Sequence, residues 1–287
     1  MIMKIIKNIN ILEKKIKELK KKNKIIGLVP TMGNLHDGHI KLILLAKKNV
    51  DIVIVSIFVN PMQFEDLLDL KKYPKTFEQD CCILRQEKVE ILFCPDVNEM
   101  YPLGLKNHTY IDVPKLSKII EGKVRPGHFI GVTTIVCKLF NLIQPNFSFF
   151  GEKDYQQLLI IKKLVKELNY PIKIISLPII RLKNGLAFSS RNKHLNDLEQ
   201  KKASYLYQAI KQTCNIIKKN NGKNIEKNIH TSREYLIKKG FYIDIFNVYD
   251  SKTLDPISKD SKNIIIIASV WLGKTRLIDN KKIILRD

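Results

Sequence analysis

Two histidines three residues apart, His36 and His39, close the segment Pro30-Thr31-Met32-Gly33-Asn34-Leu35-His36-Asp37-Gly38-His39. A short apolar run, Ile25–Val29, precedes this segment, and a helical pattern follows from His39 to Lys48. A loop that opens straight into a helix offers free N–H groups and the positive end of a dipole, both of which attract phosphate. At this spacing both imidazoles can face the same anion. Gly33 and Gly38 allow close backbone approach. The same pair could bind a metal, but no third ligand lies near it in sequence, so no metal site is assigned. Ordinary capping and packing is the other structural use of such a pair.

Three further segments carry polar groups in comparable positions. Ser56–Phe64 ends a second apolar run and places two neutral amides, Asn60 and Gln63, where hydroxyls and carboxylates could be held without added charge. Gly151-Glu152-Lys153-Asp154-Tyr155-Gln156-Gln157 again follows a strand and opens a helix. Lys153 could neutralise a phosphate, Asp154 could cap the helix or accept a ribose hydroxyl, and Gln157 lies a turn beyond Lys153. In Asn184–Asn192, two hydroxyls followed by a guanidinium (Ser189, Ser190 and Arg191) make a compact anion clamp.

The elements that must position these groups can be read from hydropathy. Ile25–Val29, Asp51–Val59, Val89–Cys94, Phe147–Phe150 and Ile172–Leu177 are nearly continuous apolar runs, as expected of strands covered on both faces. Between them, Val132, Ile135, Val136, Leu139, Phe140 and Ile143 mark an amphipathic helix, and Leu158, Ile161, Val165 and Leu168 another. This alternation predicts an α/β domain with a doubly wound parallel sheet over residues 1–180. Open sheets of this kind bind ligands beyond the carboxyl ends of their strands, where the first three segments fall. After Pro178 the texture changes to two helices and three strand candidates, Phe241–Tyr249, Asn263–Trp271 and Arg276–Leu285. Residues 181–287 are therefore expected to form a smaller α+β domain.

The 50 Lys and Arg against 28 Asp and Glu give a net charge of +22. Seven of those 50 are Arg, and the lysines are scattered along the whole chain. A nucleic-acid interface clusters its charge and favours Arg for bidentate contacts, so no specific nucleic-acid partner is expected. The longest apolar run, Ile264–Leu272 broken by Ser269, falls far short of the ~20 residues of a membrane-spanning helix, and no membrane association is expected. Five cysteines without a CxxC pair, two of them adjacent, do not form a disulfide framework. The first residues lack the apolar core of a signal peptide. A reducing cytoplasm is the expected location.

Taken in order, the segments PTMGNLHDGH, SIFVNPMQF, RPGHF, FFGEKDYQQ, NGLAFSSRN and RLIDN resemble the pantothenate synthetase family, from Ile25 to Asn280. The HxGH element alone specifies only a wider nucleotidyltransferase superfamily that includes class I aminoacyl-tRNA synthetases. The NPMQF and GEKDYQQ pair narrows it. The resemblance implies a Rossmann-type N-terminal domain, a small C-terminal domain closing over the site, a homodimer and a cytoplasmic ligase. The implied reaction joins (R)-pantoate to β-alanine through a pantoyl-adenylate, splitting ATP into AMP and pyrophosphate. ATP would enter with Mg2+ as substrate, and no tightly bound cofactor is implied.

Carried over by residue, the resemblance makes Met32, Gly33, Asn34, Leu35, His36, Asp37, Gly38 and His39 the ATP loop, with His39 the proton donor. Gly151, Glu152, Lys153 and Asp154, and Phe188, Ser189, Ser190 and Arg191, become further ATP contacts, with Ile180 beside the adenine. Gln63 and Gln157 would hold pantoate, with Asn60 beside them, and Gln63 would also contact β-alanine. The expected catalytic donors are His36, His39, Lys153 and Arg191. Asn184, His194 and Lys75 stand where the family more often has Asp, Tyr and Arg, none of them at an assigned position. Two other readings remain at this stage. One is a different HxGH nucleotidyltransferase, which would be expected to show a Lys-Met-Ser-Lys-Ser type loop; the other is a basic RNA-binding protein on this fold.

Overall fold

A computed structural model describes residues 2–65, 67–258 and 261–285. The chain divides into two compact units. The first comprises 1–152 and 157–178, and the second 153–156 and 179–287.

The first unit contains, in chain order, β1 (Lys4–Ile6), α1 (Ile9–Lys21), β2 (Ile26–Thr31), α2 (Asp37–Lys47), β3 (Ile52–Ile57), α3 (Leu67–Lys72) and α4 (Phe77–Gln86). It continues with β4 (Ile91–Phe93), α5 (Val97–Met100), α6 (Glu121–Val124), α7 (His128–Ile143), β5 (Phe147–Gly151), α8 (Tyr155–Glu167, of which the first two residues fall in the second unit) and β6 (Lys173–Leu177). Its six strands form one parallel sheet in the order β1-β4-β3-β2-β5-β6. From β2 the chain steps outward through β3 to β4, and later returns to the other side of β2 with β5 and then β6. The order therefore reverses between β2 and β5. That reversal is the topological switch point at which doubly wound sheets open a crevice. The β2–β5 pairing covers Gly27↔Phe147 and Leu28↔Ser148, short of the strand ends at Thr31 and Gly151.

The apolar runs explain this layering. Val29, Val53, Val55 and Leu92 are buried in the sheet beneath Leu42, Ile43 and Ala46 of α2 and Cys81 and Leu84 of α4. Each Val, Leu or Ile among them contributes ~1.5–3 kcal/mol on burial. Gly27 is required where strands and loop meet, since a Cβ there would lie 2.9 Å from Val50 and 3.0 Å from Phe149. β1 and α4 were not evident from hydropathy: β1 has only three residues, and α4 mixes acidic and apolar positions.

The second unit carries the 3-10 turn Ser190–His194, α9 (Asp197–Lys219), α10 (Ile225–Lys238), β7 (Phe241–Asp250), β8 (Asn263–Leu272) and β9 (Thr275–Ile284). Its sheet is antiparallel in the order β7-β8-β9. Asn196 caps α9 by accepting from the Glu199 amide (2.9 Å), and the Glu199 carboxylate accepts from the Asn196 amide (3.0 Å). Ile210, Cys214 and Ile217 of α9 and Leu236 of α10 pack on Phe246, Ile264, Ile266 and Val270 of the sheet. A register shift between Ile243 and Ile245 leaves Asp244 to accept from Trp271 Nε1 (2.9 Å) and Arg276 Nε (2.8 Å). The expected pairing of an α/β domain with a smaller α+β domain is what the chain folds into.

Candidate active site

Directly beyond β2, the loop to α2 is built on the two histidines. His36 is the N-cap of α2, and its Nδ1 accepts from the Gly38 amide at 3.1 Å. The Nδ1 of His39 accepts in return from the His36 amide at 3.3 Å, and the rings lie 4.1 Å apart at 37°. With both Nδ1 atoms accepting backbone hydrogens, each neutral ring carries its proton on Nε2. Capping thus uses the Nδ1 edge of each ring and leaves its Nε2 a donor.

The expectation of free helix N–H groups is corrected by this geometry. The Gly33 amide donates to Thr31 Oγ1 (3.1 Å), while those of His39 and Ile40 donate to the His36 carbonyl (2.8 and 3.0 Å). The amides of Asn34 and Leu35 donate to the Asp80 carboxylate, at 2.9 and 2.8 Å. These five amides are therefore already paired within the protein. Asp80, a residue of α4 with 2% exposure, also accepts from Thr76 Oγ1 at 3.1 Å. Nothing local in the sequence marked Asp80, because its loop partners lie 46 and 45 positions earlier in the chain.

A second cluster surrounds Gln63, in the 3-10 turn Pro61–Gln63 after β3. Asn60 is 0% exposed, and its Nδ2 donates to Gln63 Oε1 (3.2 Å) and to the Gly131 carbonyl (2.9 Å). Its Oδ1 accepts from the Tyr101 hydroxyl (2.8 Å) and the Met62 amide (3.3 Å). Burial pushes the Tyr101 phenol above its usual range, which keeps that hydroxyl a donor. Every donor and acceptor of the Asn60 amide is engaged, so a contact with substrate would displace one of these bonds. The Gln63 Nε2 lies 2.9 Å from Met32 Sδ.

The RPGHF segment clamps the same residue from its backbone. His128 Nδ1 donates to the Gln63 carbonyl at 2.7 Å, and Arg125 Nη1 donates to His128 Nε2 at 3.1 Å. Arg125 Nε also pairs with Glu65 at 3.2 Å. Gly131 lets α7 approach, since a Cβ there would lie 2.5 Å from the Met62 backbone. Of the other expected site residues in this unit, Gly151 ends β5, Glu152 accepts from Ser176 Oγ (3.0 Å), and Gln157 is half-buried in the first turn of α8.

In the second unit, Lys153 Nζ pairs with the exposed Asp154 at 3.4 Å, and the Lys153 carbonyl accepts from Asn280 Nδ2 at 2.9 Å. Ile180 and Phe188 are cross-strand neighbours through the Phe188 amide and Ile180 carbonyl (2.9 Å), flanking the Arg181↔Ala187 bridge. Arg181 makes a bidentate pair with Asp279 (2.6 and 2.8 Å), donates to the Gly185 carbonyl (3.0 Å) and stacks on Tyr207 at 3.9 Å. Burial pushes the Asp279 carboxyl up, with Arg181 pulling against it. The RLIDN segment thus fixes both the Lys153 carbonyl and the Ile180–Phe188 hairpin, a role its sequence did not disclose. Ser189 caps the turn Ser190–His194, its Oγ accepting from the Arg191 amide at 3.3 Å.

The chain thus joins a doubly wound parallel sheet to a paired HxGH histidine cap directly beyond β2. The chain belongs to the pantoate-β-alanine ligase family, whose profile matches residues 4–282. It is 95% identical over 285 residues to the pantothenate synthetase of Buchnera aphidicola subsp. Schizaphis graminum (strain Sg), covering 99% of this chain and 100% of that one. It is 66% identical over 283 residues to the enzyme of Buchnera aphidicola subsp. Acyrthosiphon pisum (strain 5A), covering 99% of each. Among solved structures, a pantothenate synthetase from Thermus thermophilus superposes with a TM-score of 0.89 at 36% identity, covering 97% of this chain and 99% of that one. A pantoate-β-alanine ligase from Francisella tularensis, complexed with beta-gamma ATP and β-alanine, gives 0.81 at 38% identity, covering 98% and 97%. The chain is accordingly a ligase of pantoate and β-alanine.

Proposed function

We propose that the chain forms (R)-pantothenate in two steps on MgATP. An amine attacks a free carboxylate hopelessly slowly, because oxide is a poor leaving group. A pantoate carboxylate oxygen therefore bonds to the α-phosphorus of ATP, the bond to the β-phosphate bridging oxygen breaks, and pyrophosphate leaves with the electron pair. The neutral amine of β-alanine then adds to the acyl carbon of pantoyl-adenylate, AMP departs with the carbon–oxygen pair, and the amine's proton is lost. Throughout, negative charge moves between phosphate oxygens, so catalysis consists of positioning and charge stabilisation.

The observation that carries this reading is the reciprocal His36–His39 cap, which leaves the proton of each neutral ring on Nε2. The Nε2–H groups donate to phosphate oxygens, and His39 serves as the proton donor. Met32 to His39, Gly151 to Asp154 and Phe188 to Arg191 contact ATP, with Ile180 against the adenine. Lys153, Ser189, Ser190 and Arg191 balance the triphosphate charge. Gln63 and Gln157 hold the pantoate carboxylate and hydroxyls, and Gln63 meets β-alanine; Asn60 supports pantoate binding beside Gln63. Mg2+ arrives bound to the triphosphate.

The enzyme is proposed to act as a homodimer in the cytoplasm. Its five cysteines are free thiols, which suits a reducing compartment, and no helix among the described residues is long and apolar enough to cross a membrane. The test is exchange of labelled pyrophosphate into ATP. Pantoate alone should support it and β-alanine alone should not. Exchange that demands both substrates would point to a concerted route and overturn the two-step scheme.

A further inference from the structure

We infer that Asp80 is a positioning residue for the ATP loop, an internal anion that shapes the loop before nucleotide arrives. This rests on the reading of residues 32–39 as the ATP loop. Gly33 and Asn34 both have positive φ, 77° and 51°. The turn they make directs the amides of Asn34 and Leu35 toward one concavity. Here the concavity is filled by the protein itself. Asp80 Oδ2 accepts from the Asn34 amide at 2.9 Å and Oδ1 from the Leu35 amide at 2.8 Å.

Three observations support a dedicated fit. Gly33 is required against this carboxylate, because a Cβ there would lie 2.9 Å from Asp80 Oδ2. Thr76, at the N-cap of α4, makes no side-chain cap bond, although a threonine there ordinarily would. Its hydroxyl donates to Asp80 Oδ2 instead, at 3.1 Å. Asp80 also lies in the first turn of α4, where the helix dipole favours a negative charge. The carboxylate is thus steadied from one side by α4 and Thr76, and on the other holds the two residues immediately before His36. A triphosphate cannot use those amides. Asp80 acts through the loop, fixing where His36 and His39 stand.

An amide in place of the carboxylate would offer one acceptor and turn an NH2 donor toward a backbone donor. In Asp80→Asn, the rate of ATP–pyrophosphate exchange should fall about 10–100-fold, the scale for misplacing a reacting group by about an ångström. KM for ATP should rise, while KM for pantoate stays within about twofold, since Asn60 and His128 hold Gln63 without contacting Asp80. Hydrogen exchange should accelerate at the Asn34 and Leu35 amides. Thr76→Val, which removes only the restraint on the carboxylate, should shift the same quantities in the same direction by a few-fold. Equal losses toward ATP and pantoate, or unchanged kinetics with a lowered melting temperature, would reduce Asp80 to a structural residue and overturn the inference. Should Asp80→Asn not fold, unchanged ATP kinetics in Thr76→Val would overturn it equally. His39→Ala serves as the control. If His39→Ala loses exchange and the two substitutions do not, Asp80 has no positioning role; if His39→Ala is also silent, the assignment of the loop to ATP falls first.

Discussion

His36 and His39 at the start of α2 and His128 at the start of α7 are histidines in similar places with opposite tautomers. In the first pair Nδ1 accepts a backbone hydrogen, leaving the proton on Nε2. In His128 the Nδ1 donates to the Gln63 carbonyl, and Nε2 accepts from Arg125. The backbone partner of the near nitrogen decides what the far nitrogen can do. At α2 the far edge is a donor, the group that the proposed phosphate contact would use. At α7 it is an acceptor already engaged by a guanidinium, so the residue serves as a strut for Gln63.

The comparison is broken most sharply at His39. His39→Ala should slow adenylation about 10²–10⁴-fold, the scale for a lost proton donor and phosphate contact, with little change in melting temperature. An active or an unfolded variant would leave the ring with a structural role only. His36→Asn separates the two edges of one ring. Asparagine is among the best N-caps, so its Oδ1 can take the Gly38 amide while the Nε2 donor is lost. Stability should hold, and exchange activity should fall about 10–10²-fold; full activity would mean that His36 is only a cap.

At His128 the same replacement should have the opposite outcome. His128→Ala removes the shorter of two donors to the half-buried Gln63 carbonyl, leaving it only Arg125 Nη2 at 3.5 Å, which at about 1 kcal/mol should raise KM for pantoate several-fold. His128→Asn restores a donor near the Nδ1 position and should recover most of that affinity. If Asn is no better than Ala, the Nε2–Arg125 contact matters more than the carbonyl. Gln157→Ala gives the smallest effect. One neutral hydrogen bond of ~0.5–1.5 kcal/mol corresponds to a few-fold rise in the pantoate requirement. Affinity for ATP, measured calorimetrically without pantoate, should not move, and a matching loss there would assign Gln157 to the nucleotide.

What could be read from the chain, and what could not, follows from the range of the interactions. The continuous apolar strands and the HxGH loop are local patterns, and the parallel sheet came out of them directly, with the helix expected from His39 beginning two residues earlier, at Asp37. Asp80 could not, because its partners are 45 and 46 positions away and its own helix, FEQDCCILRQ, has mixed polarity. RPGHF and RLIDN were visible as parts of a resemblance yet silent about purpose. Their work is done on the backbone of other segments, the Gln63 carbonyl and the Lys153 carbonyl, and no side-chain pattern announces a backbone partner. The expectation of free N–H groups at the helix start met a local acceptor instead, since His36 takes the amides of Gly38 and His39.

The division of the chain at Lys153–Gln156 bears on dissection and folding. This four-residue piece is counted with the second unit, although the chain on either side of it belongs to the first. Within that unit, Tyr155 donates to the Ser251 carbonyl at 2.8 Å, and Asn280 donates to the Lys153 carbonyl. A fragment cut at Pro178 therefore omits part of its own interior and leaves the Ser251 carbonyl and the Asn280 amide to water. The C-terminal unit is not a cassette that can be exchanged by splicing at one junction. During synthesis its late-emerging residues complete their packing only by recapturing a segment made long before them.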